Sequence, residues 1–334
     1  MKKLISIFMC LAVIWLNLQN SAAQTKGDIN PNPQKIYSST DIETSPALQT
    51  LLNNAVGETL NNFAAKKVKS DSVAATLIDL RDSKNLKMAN YRGEQKIYPA
   101  SVVKLFYMAA FHRWLEDGKI KIPSPELERG LKDMIVDSSN EATQYILDVL
   151  TDTSSGGELP AKEFETWSYK RNAVNRYFKS LGYENINVNQ KTFCEDAYGR
   201  EQQFRNYKGE NRNMLTTSAT ARLMAEIALG KSVSAERSKQ MLDLMRRDFS
   251  GTTKDADDQA HGFTAIALNE LNLKDAKLWS KAGWTSKTRH DAAYIETPDG
   301  LKFVLVVFTE NFAQERDIIP SIANKIIKNF KQTR

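Results

Sequence analysis

The chain has 334 residues, 41% apolar and 26% charged, the balance of a soluble globular protein with length enough for a large core. Its 46 basic and 40 acidic side chains leave a net charge of +6, and no basic run is interleaved with aromatic residues, so composition argues against a nucleic-acid binder. The three histidines, His112, His261 and His290, stand at no metal-ligand spacing, and no glycine-rich phosphate loop or Gly-x-Ser-x-Gly turn is present.

Residues 1–23 read as a secretory signal. Lys2-Lys3 form its charged end, Leu4 to Leu18 its apolar core, and Ser21-Ala22-Ala23 its small-residue cleavage site. The apolar run is short for a membrane span, so no stable span is expected after cleavage, and the expected location is secreted, in a periplasm. Removing the leader takes Cys10 and two lysines with it. Cys194 is then the only cysteine, so no internal disulfide forms, and the net charge falls to +4. Residues 24–45, with Pro31 and Pro33, read as a flexible tether.

One catalytic domain is expected over residues 46–334. Leu48, Leu51, Leu52, Val56, Leu60 and Phe63 recur at helical spacing between Pro46 and Lys66. Val73 to Leu80 and Leu86 to Tyr91 read as strands joined by a turn. An apolar helix follows Pro99 and stops at Asp117-Gly118. Helices are predicted after Pro123-Ser124-Pro125, after Asp137-Ser138-Ser139-Asn140, over Phe164–Leu181, after Thr216-Thr217 and over Ser234–Arg247. Gln190 to Leu215 is long, polar and aperiodic, which in a compact domain marks a functional segment. Leu278–Trp284, Asp291–Thr297 and Phe303–Thr309 read as strands, the last two joined at Pro298-Asp299-Gly300, and Ile318–Phe330 closes as a helix. The fold class is therefore α+β. One antiparallel sheet is built from both ends of the chain, about 46–97 and 248–334, with an all-helical part over about 98–247.

The stretch Tyr98-Pro99-Ala100-Ser101-Val102-Val103-Lys104 carries the chemistry. It is the only Ser-x-x-Lys in the chain. On the first turn of a helix the two side chains share one face. Burial disfavours an ammonium, so a neutral Lys104 amine can take the Ser101 proton and make a nucleophile. The plain alternative is that Ser101 caps its helix, as the Ser138-Ser139-Asn140 corner would cap the next, and that Lys281 is an edge-strand charge.

Taken in order, Ser-x-x-Lys at Ser101, Ser-x-Asn at Ser138 and Lys-x-Gly at Lys281 resemble the serine β-lactamase and penicillin-binding protein superfamily, and most closely its class A-type β-lactamases. The resemblance runs over about residues 46–330. It implies a β-lactamase/transpeptidase-like fold and a serine hydrolase that needs no metal or cofactor. Ser101 would form an acyl-enzyme with a β-lactam, with Lys104 as its base. Ser138 would relay a proton to the leaving nitrogen, Asn140 would hold Lys104 or the substrate amide, and Lys281 would attract the substrate carboxylate. Gly283 would admit the substrate, and the N–H groups of Ser101 and Trp284 would form the oxyanion hole. Counting back from Leu215-Thr216-Thr217 selects Glu201 as the water-activating base, with Glu195 as the other carboxylate in that loop.

Three departures stand out. Ser139 replaces the family's Asp, Ala282 replaces a hydroxyl residue that Thr285 or Ser286 would have to supply, and segment lengths differ on both sides of Ser138. The implied alternatives are a D,D-carboxypeptidase or esterase on peptidoglycan-like substrates, or a non-catalytic binding protein. The expected partner is a small molecule, and the expected state a monomer.

Overall fold

The computed structural model describes residues 41–193, 196–209 and 211–330. The leader, the tether as far as residue 40, Cys194 and Glu195 lie outside these. In chain order the first elements are β1 (Glu43–Thr44), α1 (Pro46–Asn62), β2 (Val73–Asp79) and β3 (Lys87–Tyr91). The helical block holds α2 (Lys104–Glu116), α3 (Pro125–Ile135), α4 (Asn140–Thr151), α5 (Ala161–Arg171), α6 (Ala173–Ser180), α7 (Arg200–Arg205), α8 (Thr217–Ala228) and α9 (Ala235–Met245). The chain then returns to the sheet through β4 (Arg246–Arg247), α10 (Thr264–Glu270), β5 (Lys277–Trp284), β6 (Thr288–Glu296), β7 (Lys302–Glu310) and α11 (Ile318–Asn329).

The seven strands lie in the order β1-β3-β2-β7-β6-β5-β4. All pairings are antiparallel except β1 with β3, which is parallel. The sheet is therefore mixed, where a purely antiparallel one was expected. The cause is local. Residues 43–44 of the expected tether pair with Lys87 and Met88, and Ile42 is buried beside them, so these residues belong to the sheet.

Both faces of the sheet are covered. Phe303, Leu305 and Val307 of β7 pack with Leu52 and Val56 of α1 and Ile322 and Ile326 of α11. Val304, Val306 and Phe308 face the opposite core, with Phe106 of α2 and Leu223 of α8. A central strand buried on both sides reads as an unbroken apolar run, and Phe303–Phe308 is one. Three buried residues of this kind, each removing a side chain from water, contribute about 5–9 kcal/mol to the core on transfer grounds.

The local signals explain most boundaries. Ser45, Ser124, Ser139, Thr216 and Ser234 each accept a backbone N–H three residues on, capping α1, α3, α4, α8 and α9. Gly300, at φ +92, makes the β6–β7 turn. Two elements differ from expectation. The helix over 164–181 is two helices, α5 and α6, divided at Asn172. The stretch before β5 holds α10, whose N-cap, Phe263, makes no side-chain cap bond and sits at φ +54.

Candidate active site

Ser101 lies in a 3-10 turn, Ala100–Val103, that leads into α2. Ala100 just before it takes φ +46, a left-handed conformation that costs a non-glycine residue roughly 1 kcal/mol or more. The turn is pressed against β5. A Cβ placed on Gly283 would lie 2.7 Å from the Ser101 nitrogen and 2.9 Å from the Val102 nitrogen and Pro99 oxygen. Only glycine admits this approach. The close contact sets the Ser101 N–H beside the strand that continues to Trp284, whose side chain is partly exposed. From the other side, His290 of β6 fixes the same turn. Its Nε2–H donates to the Tyr98 carbonyl at 2.9 Å, and its Nδ1 accepts the Thr309 N–H at 3.1 Å. This tautomer keeps the ring neutral, and burial lowers its pKa to about 4.

Behind the turn, Lys104 is fully buried at the start of α2. Its ammonium donates to the Ser138 carbonyl at 2.5 Å, to Asn140 Oδ1 at 2.9 Å and to Ser138 Oγ at 3.2 Å. Ser138 itself sits at φ +57. The helix-cap reading of this corner holds for its neighbour: Ser139 caps α4, accepting from the Ala142 N–H at 3.1 Å. The left-handed turn releases Ser138 from capping and aims it inward. Lys281 reaches the same hydroxyl from β5, Nζ to Oγ 2.8 Å. One hydroxyl thus joins two amines carried by elements far apart in sequence.

The structure brings together Ser101, Lys104, Ser138, Asn140, Lys281 and Gly283. The Lys281 side chain is fully buried and also bonds Gln259 Oε1 and the Ala282 carbonyl. Burial, and then the Lys104 and Arg247 charges, hold its pKa well below the usual lysine range, against a smaller pull from Asp291. Ala282, which stands where the hydroxyl was expected, is buried in the opposite core.

Glu201 is not brought to this group. It is 1% exposed at the start of α7. Its two oxygens accept from Arg171 at 2.8 and 3.1 Å, and one also accepts from Ser155 at 2.9 Å. Lys191 Nζ lies 3.5 Å away and pairs with Asp148 at 2.6 Å, which Arg171 also reaches at 3.1 Å. A buried carboxylate whose two oxygens accept from one guanidinium is its counter-ion. The loop that holds it is closed by amides. Asn213 Oδ1 accepts the N–H groups of Asn189 and Gln190 at 3.0 and 2.9 Å, and Asn187 donates to Asn211 at 2.8 Å. Nearer the serine, Phe193 and Asp196 line a cavity of about 70 Å³ with Tyr98, and the Thr192 carbonyl accepts from Gln144, one turn beyond Asn140.

Sequence reasoning missed Gln259 and His290 as site-building residues. Neither belongs to a local pattern, because each acts through a partner more than 20 residues away.

A sheet covered on both faces and a helical block that sets a serine turn beside two buried lysines make up an α+β architecture. Comparison with known proteins agrees. The sequence profile of the β-lactamase enzyme family matches residues 55–330, and this chain belongs to that family. Among solved structures it is similar to PBP-A, with 18% identity over 87% of this chain and 98% of that one and a TM-score of 0.58. It is also similar to a β-lactamase from Sphaerobacter thermophilus, at 19% identity over 82% and 96% with a TM-score of 0.56. A β-lactamase from Chitinophaga pinensis gives 18% identity over 83% and 100%, also with a TM-score of 0.56. These likenesses establish a shared fold. No curated protein sequence matches the chain.

Proposed function

We propose that this protein is an exported serine hydrolase that opens β-lactam rings through an acyl-enzyme on Ser101. The observation that carries the reading is the single Ser138 hydroxyl held between Lys104 and Lys281 beside the Ser101 turn. Lys104, as the neutral amine, takes the Ser101 proton while Oγ bonds to the ring carbonyl carbon. Charge gathers on the carbonyl oxygen, which the N–H groups of Ser101 and Trp284 receive. The carbon–nitrogen bond then breaks. The proton passes from Lys104 to Ser138 as the Ser138 proton goes to the ring nitrogen, and Lys104 is neutral again. Among the described residues no hydrogen bond joins Ser101 Oγ to Lys104, so Lys104 turns from the Ser138 carbonyl toward the serine when substrate binds, as catalytic contacts tighten in the occupied site.

The clamped Glu201 favours a second reading within the same chemistry, a penicillin-binding-type D,D-peptidase or esterase that releases its acyl group slowly. Glu195 is the alternative loop glutamate for activating water. Incubation with a chromogenic cephalosporin separates the two readings. Continuous colour release over many equivalents supports hydrolysis, and a burst of one equivalent per chain supports the slow-release enzyme. Neither signal, with no adduct, contradicts both.

A further inference from the structure

Lys281 stands at the back of the site with nothing left to give a ligand. Three oxygens surround its nitrogen: Ser138 Oγ at 2.8 Å, the Ala282 carbonyl at 2.8 Å, and Gln259 Oε1. An ammonium has three donors, and these three oxygens take them. A neutral amine has two donors and one lone pair. The two carbonyl oxygens can only accept, so they keep both donors, and the lone pair meets the Ser138 O–H. Every position around the nitrogen is filled in either state.

Gln259 is firmly seated. The same Oε1 accepts the Ala282 N–H at 3.2 Å, and Nε2 donates to the Val136 carbonyl at 3.0 Å. The side chain, 8% exposed, bridges β5 to the corner that carries Ser138. A ligand anion that reached Lys281 would displace this amide and leave it buried without its partner. The other buried cations beside the strand are engaged too. Arg247 donates to the Ser280 carbonyl at 2.9 Å and the Ile135 carbonyl at 3.1 Å, and Arg289 pairs with Asp257.

We propose that Gln259 is a specificity-determining residue: its amide oxygen occupies the place on Lys281 that a substrate anion would take, so Ser101 accepts acyl donors without reading a carboxylate beside the scissile bond. The proposal rests on Ser101 acylation and names the substrate class for it, acyl donors whether or not they carry a carboxylate at that position. The Lys281 amine is left to exchange a proton with Ser138 alone.

The test compares second-order acylation rates of the full chain by penicillin G and by its methyl ester, followed by intact mass. The expected acid-to-ester ratio is near one in the native protein. Gln259→Ala frees a donor on Lys281 and raises the ratio by about tenfold, the worth of a hydrogen bond to a charged group. Gln259→Glu keeps an oxygen on Lys281, adds a like charge, and lowers the ratio below the native value, so the proposal stays testable if the alanine variant fails to fold. A native preference for the acid of about tenfold or more, or a ratio unmoved by either folded variant, overturns it. Absence of both an adduct and a hydrolysed product with either compound overturns instead the acylation reading beneath it.

Discussion

Two buried charged clusters, one inside the helical block around Arg171 and one where β5 meets that block around Lys281, are built on opposite principles. Around Arg171, two cations, Arg171 and Lys191, meet two anions, Asp148 and Glu201, within direct contact. Such a cluster balances its charge and fastens α4, α5 and the 190–213 loop together. Around Lys281 the three partners are neutral oxygens, and the nearest charges are mostly of the same sign. Burying a cation among neutral groups costs stability. A fold keeps such a group where chemistry uses it, here as a place for a proton to move. Ala100 and Ser138, both at positive φ, border the second cluster. The difference teaches that a buried carboxylate in the expected loop is not thereby the catalytic one. What separates structure from function is whether the charge is already answered.

The sharpest way to break this contrast is to exchange the two loop carboxylates. Glu195→Gln is expected to lengthen the acyl-enzyme lifetime by about a hundredfold or more, the lower end of what a general base contributes. Glu201→Gln is expected to change it little while lowering the melting temperature. Lifetimes come from intact mass after removal of free penicillin, and a long-lived adduct in Glu201→Gln alone would reverse the assignment. Arg171→Leu leaves Glu201 buried without its guanidinium and should cost about 3–5 kcal/mol in urea unfolding. A loss below about 1 kcal/mol would show that the cluster is not the fastening described.

A smaller effect concerns pH. His112 and His290 are buried and held neutral, each with its pKa lowered from 6.5 to about 4, by burial first. As pH falls below 6.5 the unfolded chain binds these protons and the folded chain does not. Stability is therefore complete above pH 6.5 and falls on the way to pH 4, by about 2 kcal/mol per ring at pH 5. His112 has no partner on either ring nitrogen, so His112→Leu should remove its share of the slope without loss at pH 7. Unfolding free energies at pH 7 and 5 measure this, and equal slopes in both proteins would contradict it.

Most of the fold was legible because its signals are local. Pro99 before an apolar run, serine and threonine caps, and Gly300 in its hairpin turn each name an element by itself. The serine and its two lysines were legible through spacing and order. What was hidden depends on distant partners. Residues 43–44 form a strand only because β3 offers them an edge. The seven-residue α10 has no capping side chain to announce it. Gln259 is one amide in a polar stretch, and only the fold sets it between β5 and the Ser138 corner. Counting along the loop chose Glu201, and counting knows nothing of Arg171, thirty residues earlier, waiting in the core.

The account's central claim is that Ser101 is the nucleophile, served by the Lys104–Ser138–Lys281 wall. Intact mass over time with penicillin G, on the native chain and on Ser101→Ala, tests it most directly. A gain of one penicillin per native chain, absent from a folded Ser101→Ala protein of unchanged melting temperature, is the predicted result. An adduct that persists in Ser101→Ala, or a native chain that shows neither an adduct nor hydrolysed penicillin at any time, would contradict it.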